Sequence, residues 1–393
     1  MYKSPIVIIG AGPAGLMAAQ HLAENGFEVH IYEQNKAAAR KFLVAGHGGF
    51  NLTHNESITD FITRYDKSEL SPIIKDFDNQ DTVQWLHDLG IDTYVGSSGK
   101  IFPIKTIKPI HVLQAWLDKL NSLGVTIHYE HTFQDFVEDT VFLKHKEDIV
   151  AIKYYKLILA LGGGSWQKTG SNAQWIPILK SKNIHIKPLE AANSGYNTKA
   201  SFVDIEGQIV KNIEIRFNEI RKKGEVVFTT YGIEGSPLYY LNRFTRATAF
   251  PFTIYIDLKP NNSEQQVQKE IASTKNITKA LKEKLKLNNA TIQLLKKLPK
   301  EAYTNPNLLA QYIKNYPIEV TSFRPIDEVI STAGGILFEE LNPSLNLRKY
   351  PNIYCLGEMV DWEAPTGGYL LQACFSMGQF AAKHIVKSQI ITE

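Results

Sequence analysis

The chain has 393 residues, of which 44% are hydrophobic and 21% are charged, a composition typical of a globular protein with a large core. The formal net charge of +3 is too small to indicate nucleic acid or an acidic membrane as a partner. The two cysteines, Cys355 and Cys374, are spaced neither for a metal site nor for a redox pair, so we expect a reducing, cytoplasmic compartment and no metal. No apolar run reaches the ~18 residues of a membrane span.

The first 34 residues carry the pattern of a βαβ unit. A run of β-branched residues at 6–9 is typical of a parallel strand that is buried on both faces. A helix is predicted from Ala14 to Glu24, and a second strand from Glu28 to Tyr32.

A G-x-G-x-x-G motif is formed by Gly10 and Gly12, which follow the first strand, and by Gly15, in the first turn of the predicted helix. Gly10 allows the tight turn, Gly12 lets a pyrophosphate contact the main chain, and Gly15 lets helix and strand pack closely. Glu33 follows 18 positions after the last glycine. Its carboxylate can bond a ribose hydroxyl and would repel a 2′-phosphate, so the unit predicts a dinucleotide without that phosphate.

The stretch RKFLVAGHGGFNLTH, residues 40–54, contains a second glycine cluster. Arg40 and Lys41 are placed to meet a pyrophosphate, and a basic pair facing solvent is the alternative. The residues that follow are Gly46, Gly48, Gly49 and Asn51. Since glycine loses the most backbone entropy on folding, such a cluster indicates that something approaches the main chain where a Cβ would collide.

Residues 72–166 carry alternating helical and strand patterns, including a predicted strand from Val125 to Tyr129. They end in the apolar run KLILAL, and Gly162 and Gly163 follow it. These glycines mark another place for close approach to the backbone.

The pattern changes near residue 188, where short β-rich segments broken by glycine predict an antiparallel sheet or barrel. Residues 261–314 have helical spacing instead. From Lys259 to Lys314 there are eleven lysines against four glutamates, an excess of +7. We interpret this excess as a solvated helical face or as a means of attracting an anionic substrate. The segment shows no interleaved aromatic residues of the kind that bind nucleic acid.

Residues 352–386 predict a strand, a loop and a long helix. Gly357, Glu358 and Asp361 follow the strand, and Gly367 and Gly368 open the helix, whose first N–H groups are free to face an electron-rich ligand. Both chain ends are therefore expected to form one nucleotide-binding domain, with other domains inserted.

One ligand, FAD, explains these glycine clusters. Its ADP half needs the first βαβ unit, and Glu358 and Asp361 are placed to meet its ribitol. The isoalloxazine needs main chain on one side, which the cluster at 46–49 provides, and helix N–H groups near N1 and O2.

Four stretches together resemble the BaiN/YhiN-type bacterial flavoproteins, namely GAGPAGLMAA, RKFLVAGHGGFNLTH, LALGGGSWQKTGS and GEMVDWEAPTGGYLLQACFSMG. The resemblance covers nearly the whole chain. It implies an α/β fold with a Rossmann-like FAD-binding domain formed by both chain ends, an inserted antiparallel β-barrel and a small helical domain. The expected boundaries are 1–187 with 333–393 for the FAD domain, 188–258 with 316–332 for a barrel-like substrate domain, and 259–315 for the lysine-rich helical domain. The implied noncovalent FAD contacts are Gly10, Gly12, Pro13, Ala14, Gly15, Glu33, Arg40, Lys41, Gly46, Gly48, Gly49, Asn51, Gly162, Gly163, Gly357, Glu358, Asp361, Gly367, Gly368 and Tyr369.

This chain departs from the family pattern at two places next to the expected flavin. Many members have Gly-Arg-Cys-Asn where this chain has Gly-Gly-Phe-Asn at 48–51, and Asn-Leu-Gln where it has Leu-Leu-Gln at 370–372. We expect a distinct subgroup, to which a relative's substrate does not carry over.

The expected function is an FAD-dependent oxidoreductase that moves a hydride between flavin N5 and a small molecule. The resemblance implies two competing chemistries, since related members are associated with reduction of unsaturated ketones at the expense of NAD(P)H and with oxidation of small amines by O2. The sequence holds no second G-x-G-x-x-G unit, so a nicotinamide is expected only as a transient donor. The alternatives are a flavin-binding sensor without turnover and an RNA-modifying flavoprotein that uses the lysine-rich segment.

Three residues in the loops expected at the flavin ring are candidate catalytic groups. His47 could stabilise negative charge on the reduced ring, Glu363 could donate a proton, and Trp362 could contact the ring. The alternatives are a loop histidine bonded to main chain, an acid at a helix start and a packing residue under the loop.

Overall fold

A computed structural model describes residues 4–44 and 50–390 of the chain. The chain forms two compact units, each with its own hydrophobic core. Unit 1 comprises Met1–Glu190 and Ser331–Glu393, so both ends of the chain build it, as the sequence predicts. Unit 2 is the inserted segment Ala191–Ile330.

The bounds of the regular elements follow in chain order. The strands are β1 (Ile6–Ile9), β2 (Val29–Tyr32), β3 (Thr53–His54), β4 (Thr93–Val95), β5 (Lys100–Pro103), β6 (Thr126–His128), β7 (His131–Val137), β8 (Thr140–His145), β9 (Asp148–Lys153), β10 (Lys156–Leu159), β11 (Ile186–Ala192), β12 (Tyr196–Thr198), β13 (Ile209–Phe217), β14 (Ile220–Phe228), β15 (Gly232–Glu234), β16 (Phe252–Asp257), β17 (Tyr316–Phe323), β18 (Ser331–Ile336) and β19 (Ile353–Cys355). The α-helices are α1 (Pro13–Glu24), α2 (Arg40–Val44), α3 (Ile58–Phe61), α4 (Leu70–Asp76), α5 (Asn79–Asp88), α6 (Pro109–Ser122), α7 (Trp175–Ser181), α8 (Ser236–Thr245), α9 (Glu264–Ala272), α10 (Ile277–Lys279), α11 (Asn289–Lys296), α12 (Lys300–Thr304), α13 (Pro306–Lys314) and α14 (Tyr369–Ile390).

A five-stranded parallel sheet forms the centre of unit 1, with the strand order β19-β10-β1-β2-β6. β1 pairs with β10 on one side and with β2 on the other, and all four of its residues are buried. This position explains why the strand is apolar at every residue. Because the strands are parallel, their carboxyl ends meet at one edge, where α/β proteins bind ligands.

The long C-terminal helix α14 packs along α1. The contact is close because Gly378 has no side chain: a Cβ added there would lie 2.4 Å from the carbonyl oxygen of Ala14 and 3.0 Å from the amide nitrogen of Ala18. The last segment of the chain is thus held against the helix that follows the first glycine turn.

Two smaller antiparallel sheets, β7-β8-β9 and β3-β5-β4, complete the described strands of unit 1 apart from the pair β11-β18. The chain passes from unit 1 to unit 2 within β11 and returns to unit 1 at the first residue of β18.

Unit 2 contains a closed barrel with the strand order β12-β15-β14-β13-β16-β17, which confirms the predicted β-barrel. The helices α9–α13 supply residues such as Val267 and Leu309 to the same hydrophobic core as barrel residues such as Ile254. The predicted boundaries between barrel and helical domains stay a prediction. Across residues 4–44 and 50–390, no helix is long and apolar enough to cross a membrane.

Candidate cofactor site

A cavity of about 1000 Å³, a figure that includes space open to solvent, lies at the carboxyl ends of β1, β2, β10 and β19. It is within the size range of cofactor pockets. The predicted site residues that line it are Gly10, Gly12, Pro13, Ala14, Glu33, Arg40, Lys41, Gly162, Gly357 and Glu358. The structure thus brings together the first glycine motif and residues from three later segments.

The three glycines of the first turn differ in what surrounds them. Gly10 has a φ of +106°, and a Cβ there would lie 2.3 Å from the carbonyl oxygen of Ala160. A Cβ on Gly15 would lie 2.2 Å from the carbonyl oxygen of Gly10. A Cβ on Gly12 would meet no heavy atom within 4 Å, because Gly12 faces the cavity. The fold itself requires glycine at 10 and 15, whereas the space at Gly12 suits a ligand.

Glu33 lies at the end of β2 and is buried. Its Oε2 accepts a hydrogen bond from the backbone N–H of Ala11 at 3.0 Å, and its Oε1 accepts from the backbone and side-chain nitrogens of Asn35 at 2.9 and 2.7 Å. These contacts fix the carboxylate at the cavity wall with lone pairs left for a ribose hydroxyl.

The basic pair at the start of α2 is engaged with protein groups. Arg40 Nη1 donates to Asn35 Oδ1 at 2.9 Å. Lys41 Nζ donates to Ser165 Oγ and to Glu358 Oε2, each at 2.7 Å. The sequence predicts a phosphate partner for Lys41 and a ribitol partner for Glu358, and the structure joins these two residues as an ion pair.

Glu358 also connects the site to β18, because its Oε1 accepts from the backbone N–H of Thr332 at 2.8 Å. Gly163 packs in the same place, where a Cβ would lie 2.1 Å from Thr332 Oγ1. Gly162 lines the cavity in a left-handed conformation with φ of +72°. Of the two predicted glycines, Gly162 faces the cavity and Gly163 makes room for protein atoms.

Asp361 is buried and held by lysines. Its Oδ2 lies 2.9 Å from Lys67 Nζ and its Oδ1 lies 3.6 Å from Lys187 Nζ. Burial lowers the pKa of Lys67, but the hydrogen bond and charge of Asp361 outweigh it, so that the net shift is upward. Glu363 is tied to the same segment, because its N–H donates to Asp66 Oδ1 at 2.7 Å. Asp361 anchors the loop that leads to α14.

The aromatic candidates beside that loop are also packed. Trp362 is buried, and its indole N–H donates to the carbonyl of Gly357 at 2.9 Å, an arrangement that suits packing under the loop. The pKa of the Tyr369 phenol is raised by burial first and then by Glu56. The carbonyl of Tyr369 accepts from Tyr65 at 2.8 Å.

Some predicted residues lie apart from the cavity or outside the description. Among the described residues, those predicted for the site but not lining this cavity are Gly15, Asn51, Gly163, Asp361, Trp362, Glu363, Gly367, Gly368 and Tyr369. Gly46, His47, Gly48 and Gly49 lie outside the described residues. Their expected contacts with the flavin, and the catalytic roles of His47, Trp362 and Glu363, stay predictions.

The cavity also has walls that the sequence does not reveal. His131 lines it next to Tyr32, and the two rings meet edge to face at 5.3 Å. Cys374 lines it from α14, and burial raises the pKa of this thiol to about 12, so it is protonated at neutral pH. No spacing in the sequence points to these residues, because they come from β7 and from the second turn of α14.

Taken together, the open face of Gly12, the start of α1 and the fixed carboxylate of Glu33 suit the ADP part of a dinucleotide. The residues present therefore fit FAD. No cluster of three or more His, Cys, Asp or Glu side chains in the described parts of the chain could hold a metal ion.

Comparison with known proteins agrees with a Rossmann-type domain that binds FAD. The family description "HI0933-like protein Rossmann domain" matches residues 4–384. The chain is 23% identical to the 3-dehydro-bile acid delta(4,6)-reductase of Clostridium scindens, over 96% of this chain and 98% of that protein. It is 20% identical to the ribosomal RNA dihydrouridine synthase of Escherichia coli, over 99% of this chain and all of that protein.

Among solved structures, the chain resembles the 3-ketosteroid-delta4-(5alpha)-dehydrogenase of Rhodococcus jostii RHA1 with a TM-score of 0.54 and 13% identity, over 98% of both chains. A flavocytochrome c3 fumarate reductase gives a TM-score of 0.55 at 11% identity, over 98% of this chain and 78% of that one. At these identities the likeness concerns the fold alone.

Proposed function

The chain belongs to the HI0933-like family of FAD-dependent oxidoreductases, and from this premise we propose that it reduces a carbon–carbon double bond conjugated to a carbonyl group. The observation that supports FAD as the cofactor of this reaction is the cavity at the edge of the parallel sheet, where Gly12 is open and Glu33 is fixed. FAD, when bound, supplies the hydride at N5.

The chain's own residues divide the work of holding the cofactor. The start of α1 offers the backbone N–H groups of Gly12 and Ala14, since Pro13 has none, and the positive end of the helix dipole to a pyrophosphate. Glu33 accepts from a ribose hydroxyl. The Lys41–Glu358 pair joins α2 to the end of β19, so it keeps two walls of the cavity at a fixed spacing.

The names of the relatives support the type of reaction. One is a delta(4,6)-reductase of a 3-dehydro-bile acid, and another forms dihydrouridine in ribosomal RNA. Each product arises when hydrogen is added across a double bond that is conjugated to a carbonyl. Such a bond accepts a hydride at its far carbon, because negative charge then spreads onto the carbonyl oxygen. The relatives share this chemistry although their substrates differ in size and polarity.

We further propose that NADH or NADPH from solution reduces the cofactor, since the sequence holds one dinucleotide motif and FAD would occupy it. A cytoplasmic location supplies this donor, and the free thiols of Cys355 and Cys374 are consistent with it.

The proposal is tested by two half-reactions under anaerobic conditions. FAD-loaded protein is mixed with NADH or NADPH in a stopped-flow instrument, and the flavin absorbance near ~450 nm is followed. We expect bleaching faster than about 1 s⁻¹ with one of the two donors, an ordinary turnover scale. Protein reduced chemically with dithionite is then mixed with 2-cyclohexen-1-one, and we expect the flavin colour to return.

The same experiment separates the competing chemistry. If neither nicotinamide bleaches the flavin within minutes and the reduced protein is not reoxidised by the enone, the proposal is wrong. In that case, peroxide formed from amines in the presence of O2 would indicate an oxidase instead. Saturated cyclohexanone, which has the carbonyl but no conjugated double bond, is the matched control and is expected to leave the reduced flavin unchanged.

A further inference from the structure

Helix α8 of unit 2 lies against β14 because of one glycine. A Cβ on Gly224 would lie 2.6 Å from Pro237 Cγ, so the absence of a side chain lets the first turn of the helix reach the strand. Lys222 precedes Gly224 by two residues and therefore points to the same face of β14. As a result the ammonium group of Lys222 lies 4.7 Å from the ring centroid of Tyr240 on α8.

A second cation contacts two rings on the same helix. The guanidinium of Arg243 is 4.9 Å from the ring centroid of Tyr240 and 4.7 Å from that of Phe244. The two rings are 5.5 Å apart. Each of the four side chains is partly exposed. Lys222, Tyr240, Arg243 and Phe244 thus alternate cation and aromatic ring, and we name them the α8 patch.

The cations of the α8 patch differ from the neighbouring basic residues in their ion pairing. Within the described residues, no carboxylate oxygen is paired with Lys222 or Arg243, and Nε of Arg243 has no hydrogen-bond partner. The neighbouring basic residues differ: Arg221 lies 3.5 Å from Glu214, and Lys211 lies 3.9 Å from Glu225.

The charge of the whole unit has the same sign. Unit 2 contains 20 Lys and Arg residues against 14 Asp and Glu residues, a net charge of +6, which leaves −3 for unit 1. Nine of the eleven lysines from Lys259 to Lys314 are exposed. The small net charge of the complete chain conceals this asymmetry, which is typical of proteins that bind nucleic acid.

We infer that the α8 patch is a docking site for a single-stranded segment of RNA. Lysine and arginine bind phosphates, while unstacked bases pack on aromatic rings and on guanidinium planes. The carboxylates of an acidic protein would pair with the cations but would not stack on the aromatic rings. A relative that matches this chain over its whole length acts on ribosomal RNA, which supports RNA as the ligand. The inference goes beyond the proposed function, because it concerns unit 2 and uses no residue of the cofactor cavity.

The test is a binding measurement on the full-length, FAD-loaded protein with a fluorescein-labelled oligouridylate of 20 nucleotides. Fluorescence anisotropy is recorded from 50 to 300 mM KCl. We expect the double variant Lys222→Gln/Arg243→Gln to bind at least tenfold more weakly than wild type. Its plot of log affinity against log salt should be shallower by about 1.4, since each lost phosphate contact contributes about 0.7 on a single strand.

The matched control is Arg221→Gln/Lys223→Gln, which removes the same charge from the two exposed neighbours of Lys222 on the opposite face of β14. We expect this control to weaken binding less than threefold. Phe244→Ala keeps every charge and should weaken binding about tenfold through lost stacking. Flavin absorbance and far-ultraviolet circular dichroism identify any variant that fails to fold, and Arg243→Lys is the conservative replacement in that event.

Three results would overturn the inference: wild type that does not bind the oligonucleotide at 50 mM KCl, equal weakening by the two double variants, or equally tight binding of polyglutamate. The measurement involves no turnover. Protein that reduces 2-cyclohexen-1-one without binding the RNA would contradict this inference alone, and protein that binds the RNA without reducing the enone would contradict the proposed function alone.

Discussion

Gly10 and Gly12 lie two residues apart in one turn, yet different neighbours constrain them. Gly10→Ala would force a Cβ to 2.3 Å from the oxygen of Ala160 at a φ of +106°. We expect it to lower the free energy of unfolding by about 2–4 kcal/mol. Gly12→Ala places its Cβ in open space and should change that free energy by less than about 1 kcal/mol. Urea unfolding of the FAD-free variants measures both.

Gly12→Ala, which should hardly change stability, should instead affect cofactor binding. We expect Gly12→Ala to weaken FAD binding at least about tenfold, because a methyl group would occupy the surface that a pyrophosphate contacts. A titration of FAD fluorescence measures the dissociation constant. If Gly12→Ala binds FAD as tightly as wild type, the pyrophosphate does not lie at this turn.

We expect His128 to make the stability of unit 1 depend on pH. Burial, followed by the charges of His30 and His131, lowers the pKa of His128 below 6.5. Its Nε2 lies 3.0 Å from Nδ1 of His30, so one of the two rings must be an unprotonated acceptor. Below pH 6.5 the unfolded chain binds this proton more readily than the folded one does. The contribution to stability is therefore complete above pH 6.5 and falls as pH drops toward the folded pKa.

We expect His128→Gln to flatten the decline of the melting temperature between pH 7 and pH 5, as measured by calorimetry. His21, whose pKa is lowered mainly by burial, leaves part of the decline in place. The same substitution at the exposed His87 is the control and should keep the wild-type slope. Identical slopes for His128→Gln and wild type would contradict the assignment.

At the residue scale, the sequence predicts single functional groups better than it predicts their partners. The spacing of Gly10, Gly12 and Glu33 reflects one local unit, and the structure places all three at the cavity. Lys41 and Glu358 are 317 positions apart, and nothing in the local pattern of either indicates their ion pair. Both residues line the cavity, but the sequence shows only the chemistry of each side chain and not its distant neighbours.

Local elements with strong signals could be predicted to within about two residues. β1 occupies Ile6–Ile9 as predicted, and α1 begins at Pro13, one residue before the predicted start. The order of the barrel strands could not be predicted, because β12 pairs with β17 across more than a hundred intervening residues. The approach of α8 to β14 could not be predicted either, since it depends on a contact between Gly224 and a proline in another element.

The packing of α14 on α1 predicts that Gly378→Ala lowers the free energy of unfolding, whereas helix propensity alone predicts that it raises it. Gly378→Ala would place a Cβ 2.4 Å from the carbonyl oxygen of Ala14. Helix propensity alone would make this substitution stabilising by about 0.8–1 kcal/mol. We expect instead a loss of about 2–4 kcal/mol, because the helices must move apart. Urea unfolding distinguishes the two, with Lys387→Ala on the exposed part of α14 as the control.

At the scale of the molecule, composition and charge describe an average that neither unit has. The net charge of +3 consists of +6 in unit 2 and −3 in unit 1, so the expectation that nucleic acid is excluded rested on a sum. The interleaved rings that the lysine-rich segment lacks occur on α8, next to a lysine from another strand. Only the folded chain brings these side chains together.

The two separate cores predict where FAD binding slows hydrogen exchange. With FAD at about 100 times its dissociation constant, the free energy of opening should rise by about 2.7 kcal/mol where the cofactor is held. We expect this protection in peptides that cover Ile6–Glu24 and Ile353–Met359, and no change in peptides that cover β13 and β16.

A substitution in the other core provides the reciprocal test. Phe228 is fully buried in the barrel, and Phe228→Ala should destabilise unit 2 by about 3–5 kcal/mol. Exchange should then accelerate in the barrel strands, while the dissociation constant of FAD stays within about twofold of wild type, a difference of about 0.4 kcal/mol. If Phe228→Ala instead weakened FAD binding as much as Gly12→Ala does, the cofactor cavity would depend on the barrel core, and unit 1 could not be treated as the whole of the FAD site.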